Sequence, residues 1–181
     1  MPILYSFLFM FIIAGALGVL YVYNYNKLQH SKTKIEHAEC LIDESLRNKY
    51  DLVSKYEKLL KSELDLDKNF LKDFSKLKNE DISNFELDRR LIEYVNIISK
   101  VKSDNEAILE NKEMKKLISE EKKVDEKLQA AKSYYNKYTS EMNDLIRSFP
   151  SNIVSRMHGF NVKSFFDGKN MQDDIIDDFK L

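Results

Sequence analysis

From Ile3 to Tyr23 the chain carries no charged side chain and is dominated by Leu, Ile, Phe, Val, Ala and Gly. The run is about 21 residues long, and at ~1.5 Å of rise per residue a helix of that length covers the ~30 Å hydrocarbon core of a bilayer. A soluble fold has no use for so long an apolar stretch, so residues 1–26 are expected to form a transmembrane anchor, with Ile3 and Tyr23 marking the ends of the span. Tyr5 lies near one end, and Tyr21, Tyr23 and Tyr25 cluster at the other, where amphipathic rings favour the headgroup layer. Ala14-Gly15-Ala16 resembles a signal-peptidase site, but a signal peptide has a basic leader and a shorter apolar run, and here no Lys or Arg precedes Lys27. Lys27, Lys32 and Lys34 follow the span, so the positive-inside bias places the N-terminus outside the cell membrane and the rest in the cytoplasm. Ala14 and Gly18 form a small-x-x-x-small pair that can bring two spans together in a homo-oligomer, although such residues are common in membrane helices.

Beyond the span the periodicity is helical. Met114, Leu117, Glu121, Val124, Leu128, Ala131, Tyr135, Tyr138, Met142, Leu145 and Phe149 alternate steps of three and four, with Glu121 as the one interruption. Pro150 cannot continue that helix, which is expected to stop near Phe149. An earlier stripe follows Leu28, Ile35, Ala38, Ile42, Leu52, Tyr56 and Leu59, widened by Leu46, Val53 and Leu60, and it reads as a direct continuation of the span. Phe70, Phe74 and Leu77 extend this pattern until Asn79-Glu80-Asp81, where a first chain reversal is expected. Ser83 with Glu86 forms a capping box for the next stripe, Leu87, Leu91, Tyr94, Ile98 and Val101, and Ser103-Asp104-Asn105 suits a second reversal. Ser151 is expected to cap a short helix ended by Gly159, with Phe160, Phe165 and Phe166 docked beside it. With only four glycines and two prolines, a many-stranded sheet is excluded. The expected fold is all-α: an N-terminal transmembrane helix, then an antiparallel bundle of three long helices plus a short C-terminal helix. Residues 27–168 form the bundle and residues 169–181, with Asp173, Asp174, Asp177 and Asp178, an acidic tail.

Composition and motifs narrow the chemistry. Twenty-nine basic against 30 acidic side chains leave no cationic excess to displace phosphate counterions, which argues against a nucleic-acid partner. Cys40 is the single cysteine, so no intrachain disulfide forms. No His has a Glu three residues before it, as a di-iron bundle requires. His37 and Cys40, one helical turn apart with Glu36 and Glu44 nearby, are the weak grouping on which a metal-binding or enzymatic alternative rests. A partly buried thiol beside a surface imidazole explains them as well. No nucleophile elbow, zinc-protease motif or phosphate-cradling loop occurs. Neither catalytic nor metal-ligating residues are assigned, and no cofactor or small-molecule substrate is expected. Polar residues beside a core stripe are the candidates for partner binding: Lys49, Tyr50 and Asp51, and Tyr134, Tyr135 and Asn136.

Tyr25-Asn26-Lys27-Leu28, then Arg47-Asn48-Lys49-Tyr50-Asp51-Leu52-Val53, and above all Ala131-Lys132-Ser133-Tyr134-Tyr135-Asn136, Asn143, Ile146, Phe149-Pro150-Ser151-Asn152, Gly159-Phe160 and Phe165-Phe166 occur in an order that resembles the LemA family of bacterial membrane-anchored proteins. Val53-Ser54-Lys55-Tyr56 departs from the family's usual Ile-Pro-Asn-Leu, Lys132 replaces its arginine, and its Tyr-Pro turn is missing near Asp104 to Leu109. The resemblance implies a helical bundle behind one span, no catalytic residues, and a non-catalytic interaction or scaffolding role with an envelope protein partner.

Overall fold

An uncharged run followed by an apolar stripe of helical period gives the backbone no reason to stop between them, and the first helix, α1, runs unbroken from Pro2 to Leu64. The computed structural model describes residues 2–64, 66, 70–80 and 82–166. Every side chain from Ile3 to Tyr23 is exposed, and α1 is long and apolar enough there to cross a membrane. The character then changes. Leu28, Ile35, Ala38, Ile42, Leu46, Leu52, Val53, Tyr56, Leu59 and Leu60 are all buried, each of the larger aliphatic side chains contributing ~1.5–3 kcal/mol by leaving water.

Among the described residues every regular element is helical: α1, then α2 over Asn84–Asp104, α3 over Lys112–Arg147 and α4 over Ser151–Met157, with short 3-10 helices at Phe74–Asn79 and Glu106–Glu110. The backbone groups left open at the helix starts are met by short polar side chains. Ser83 accepts the amide of Glu86 at the start of α2, and Asn111 accepts those of Glu113 and Met114 at the start of α3. The reciprocal arm of the expected capping box is not made, because the Glu86 carboxylate turns to Arg89 and Arg90.

Two compact units share these helices: Met1–His37 with Tyr134–Leu181, and Ala38–Ser133. In the second, Lys49 pairs with Asp125 and Tyr56 with Glu121, so rising numbers on α1 meet falling numbers on α3. Asp88 with Lys132 and Lys102 with Glu121 show the same for α2 against α3. Thus α3 runs antiparallel to both α1 and α2, and α1 and α2 run parallel to each other rather than alternating as an antiparallel bundle would, around Leu46, Val53, Leu60, Leu91, Ile98, Met114 and Leu128. In the first unit, His30 lies beside Tyr138 and His37 beside Tyr134, again antiparallel.

Four local expectations are corrected. The stripe through Phe70, Phe74 and Leu77 does not prolong α1. Phe74 and Leu77 are buried as expected, but they sit in a 3-10 turn behind Asp73, whose φ of 66° is left-handed and cannot belong to a right-handed helix. Phe149 is not part of the α3 seam: the helix ends at Arg147 and the ring is 80% exposed. Ser151 is not the cap of α4 but its first residue, buried and donating its hydroxyl to the carbonyls of Leu145 and Ser148. Cys40 is exposed rather than partly buried. Gly159 does end α4, with φ 68°, while the amides of Gly159 and Phe160 reach back to the carbonyls of Arg156 and Ser155. The acidic tail lies outside the described residues.

Candidate functional site

Two buried charged side chains of the second unit, Lys49 and Asp88, are each paired across helices. Lys49 is buried, and its ammonium donates to Asp125 Oδ1 at 2.9 Å, a carboxylate still about half exposed. Asp88, also buried, accepts from Lys132 through Oδ2, while its Oδ1 has no hydrogen-bond partner among the described residues. Between these pairs lies an open groove of about 640 Å³, lined by Lys49, Ile92, Asp125, Leu128, Gln129 and Lys132.

Glu121, which interrupts the heptad pattern, is where polar contacts converge. The fully buried Tyr56 donates its hydroxyl to Glu121 Oε2 at 2.6 Å, and the Lys102 ammonium donates to the same oxygen at 3.3 Å while standing 4.8 Å above the Tyr56 ring. Burial, and then the bond to Glu121, push the Tyr56 hydroxyl far above the usual tyrosine range, so it stays a proton donor to Glu121. A carboxylate at a seam position thus satisfies a buried phenol and a lysine at once.

The six candidate partner residues divide. Tyr50 stacks on Phe74 with ring centres 4.6 Å apart, and its hydroxyl is held above the ordinary range by burial and then by the charge of Asp51. Asp51 is exposed. Lys49 is engaged with Asp125 as described. In the first unit, Tyr134 packs between His37 and Tyr138, and Tyr135 donates its hydroxyl to the carbonyl of Ser164. Asn136 accepts the amide of Phe166 at 2.8 Å. Five of the six therefore contact their own chain, and the structure joins them into two separate groups, one in each unit.

Sequence reasoning names Asn143 only among the residues of the resemblance and misses that it shares a task with Asn136. Asn143 is 1% exposed; its Nδ2 donates to the Lys163 carbonyl at 2.8 Å and its Oδ1 accepts the Lys163 amide at 2.9 Å. Seven residues of α3 separate the two asparagines, ~10.5 Å of helix. Three residues separate Lys163 from Phe166, which reach ~10 Å only when nearly extended. The carboxamides thus hold an extended strap antiparallel to α3. The signal was present in the sequence as two asparagines one heptad apart beside an apolar seam.

Among the described residues no three His, Cys, Asp or Glu side chains gather as metal ligands would, and His37 turns to the ring of Tyr134. The sequence model of the LemA family matches residues 38–177. The chain belongs to the LemA family. The match starts at Ala38, beyond the Tyr25 to Leu28 stretch with which the resemblance began, and includes the Asn136 and Asn143 strap together with the Glu121 node. Neither a curated protein nor a solved structure matches this LemA family member.

Proposed function

We propose that this chain is a single-pass, membrane-anchored, non-catalytic interaction or scaffolding protein of the bacterial cell envelope, with its bundle on the cytoplasmic side. The observation that carries the reading is the continuity of α1: one helix takes a wholly exposed apolar run directly into a helical bundle. Tyr56, Lys49 and Asn143 are each committed to an internal partner, which supports a role in shaping the bundle rather than in turning over a substrate. Confinement to the bilayer raises the effective concentration of the bundle toward an envelope protein partner without requiring any additional contact. Lys27, Lys32 and Lys34 after the span support the cytoplasmic orientation.

Two measurements on the full chain test the proposal. It should resist alkaline extraction from native membranes, and proteolysis should reach the bundle only after the cytoplasm is opened. A pull-down from those membranes should recover the same protein partner repeatedly. Release into the aqueous wash removes the anchor, and digestion in intact spheroplasts reverses the orientation. A stoichiometric metal or a chemical turnover assigned to the purified chain replaces the scaffolding role.

A further inference from the structure

We propose that α4 is a second membrane contact, dipping its Ile153 and Met157 face into the headgroup layer of the leaflet from which α1 emerges; this rests on reading Ile3–Tyr23 as a membrane span. The motive is an inversion of the usual helix pattern. A helix on a soluble domain turns its large apolar residues inward, but α4 buries Ser151, Val154 and Ser155, whereas Ile153 is 52% and Met157 67% exposed. Phe149, four residues before Ile153, is more exposed still. The two serines are satisfied inside by the carbonyls of Leu145, Ser148 and Asn152, so this side of α4 is the one that packs.

The level of this face relative to the span is set by His158, the residue after Met157. Its Nε2 lies 2.5 Å from the Tyr21 hydroxyl and its ring centre 4.6 Å from that of Tyr25. Tyr21 is within the last turn of the apolar run, so Met157 stands where hydrocarbon gives way to headgroups. At the other end of α4, Ser148 and Lys27 line one recess, which puts Phe149 near the level of Lys27, ~6 Å further out along α1 than Tyr23. Met157 is therefore the deepest of the three and Phe149 the shallowest. Arg156 beside Met157, and Lys27 with its ammonium 5.0 Å above the Tyr23 ring, place cations at the rim of the apolar face, as an interfacial helix carries them. Lipid is favoured as the occupant because the patch is continuous with a segment that already lies in lipid.

The chain contains no tryptophan, so one introduced indole reports alone. Full-length Phe9→Trp, Phe149→Trp, Ile153→Trp and Met157→Trp variants, each replacing an exposed side chain and checked for unchanged helical circular dichroism, are reconstituted in mixed phosphatidylcholine and phosphatidylglycerol vesicles. Phe9→Trp is read with lipid brominated deep in the acyl chain and the others with lipid brominated just below the glycerol; aqueous acrylamide serves as the opposing quencher. The expected result is strong bromolipid quenching for Phe9→Trp and a graded loss of emission in the order Met157, Ile153, Phe149. If Phe9→Trp is quenched by lipid while Met157→Trp and Ile153→Trp respond only to acrylamide, α4 is in water and this proposal fails with the span intact. If they respond to neither quencher, protein covers the face, and the proposal fails equally. An unquenched Phe9→Trp removes the span and the inference together.

Discussion

The asparagine strap makes a prediction whose magnitude differs sharply between two chemically identical substitutions. Asn143 both donates to and accepts from Lys163, whereas Asn136 accepts from Phe166 through Oδ1. Asn143→Asp keeps the acceptor but sets a second oxygen against the Lys163 carbonyl, in a place that is 1% exposed. Losing one hydrogen bond, opposing two acceptors and burying a carboxylate together should cost about 3 kcal/mol or more. Asn136→Asp keeps its one contact and makes it charge-assisted, so its effect should lie within about 1 kcal/mol of neutral, on either side. Asn143→Ala is intermediate: two hydrogen bonds at ~1 kcal/mol each give ~2 kcal/mol, which corresponds to exchange of the Lys163 amide roughly 30-fold faster. The assay is hydrogen exchange on the full chain in mild detergent, read at the Lys163 and Phe166 amides, with denaturant unfolding followed by circular dichroism. Equal effects of the two aspartates, or an unchanged Lys163 amide in Asn143→Asp, would refute the reasoning that these carboxamides hold the strap.

Three further outcomes follow from other contacts. Tyr56→Phe should lower stability by ~1.5–3 kcal/mol, the worth of a hydrogen bond to a charged group; because the folded hydroxyl is held above its unfolded value near 10, its contribution is complete below about pH 10 and lost above it, so alkaline denaturation profiles of the variant should fall less steeply there than those of the parent. Asp125→Ala, which strands the buried Lys49 ammonium, should destabilise by about 3 kcal/mol in urea unfolding, whereas Lys49→Met should be near neutral because the half-exposed Asp125 regains water. Gly159→Ala should cost ~1 kcal/mol in thermal unfolding, from backbone strain alone, since φ is 68° and an added Cβ meets nothing within 4 Å; Gly159→Asn should cost less.

The helices and their buried faces were legible because burial follows apolar spacing. The stripe from Leu28 to Leu60 is buried throughout, and Leu91, Ile98, Met114, Leu128 and Met142 lie where the repeat puts them. What periodicity does not carry is the state of the backbone between stripes. Phe74 and Leu77 keep helical spacing and are buried, yet a left-handed Asp73 precedes them, and side-chain pattern alone is blind to that conformation. Polar residues were legible only in part, since a carboxylate at a seam position looks like a defect until the phenol and ammonium that face it are known. Asp88 was missed for the same reason: nothing near it in sequence reveals Lys132, which is 44 residues away. The candidate partner residues are polar positions beside a core, and five of them contact other parts of their own chain.

The Glu121 node also bears on whether the helices of the second unit can slip past one another. Seven-residue repeats of apolar side chains look alike after a displacement of one heptad, ~10.5 Å, so greasy contacts alone tolerate slippage. The polar contacts do not. Moved by seven residues, Lys49 would meet Lys132 or Ile118 in place of Asp125, and Tyr56 would point its hydroxyl at Leu128 or Met114 in place of Glu121. Either way a charge or a phenol is orphaned, so the teeth of α1 and α3 mesh at one setting, and ratcheting between heptads is closed to this bundle as a means of changing state.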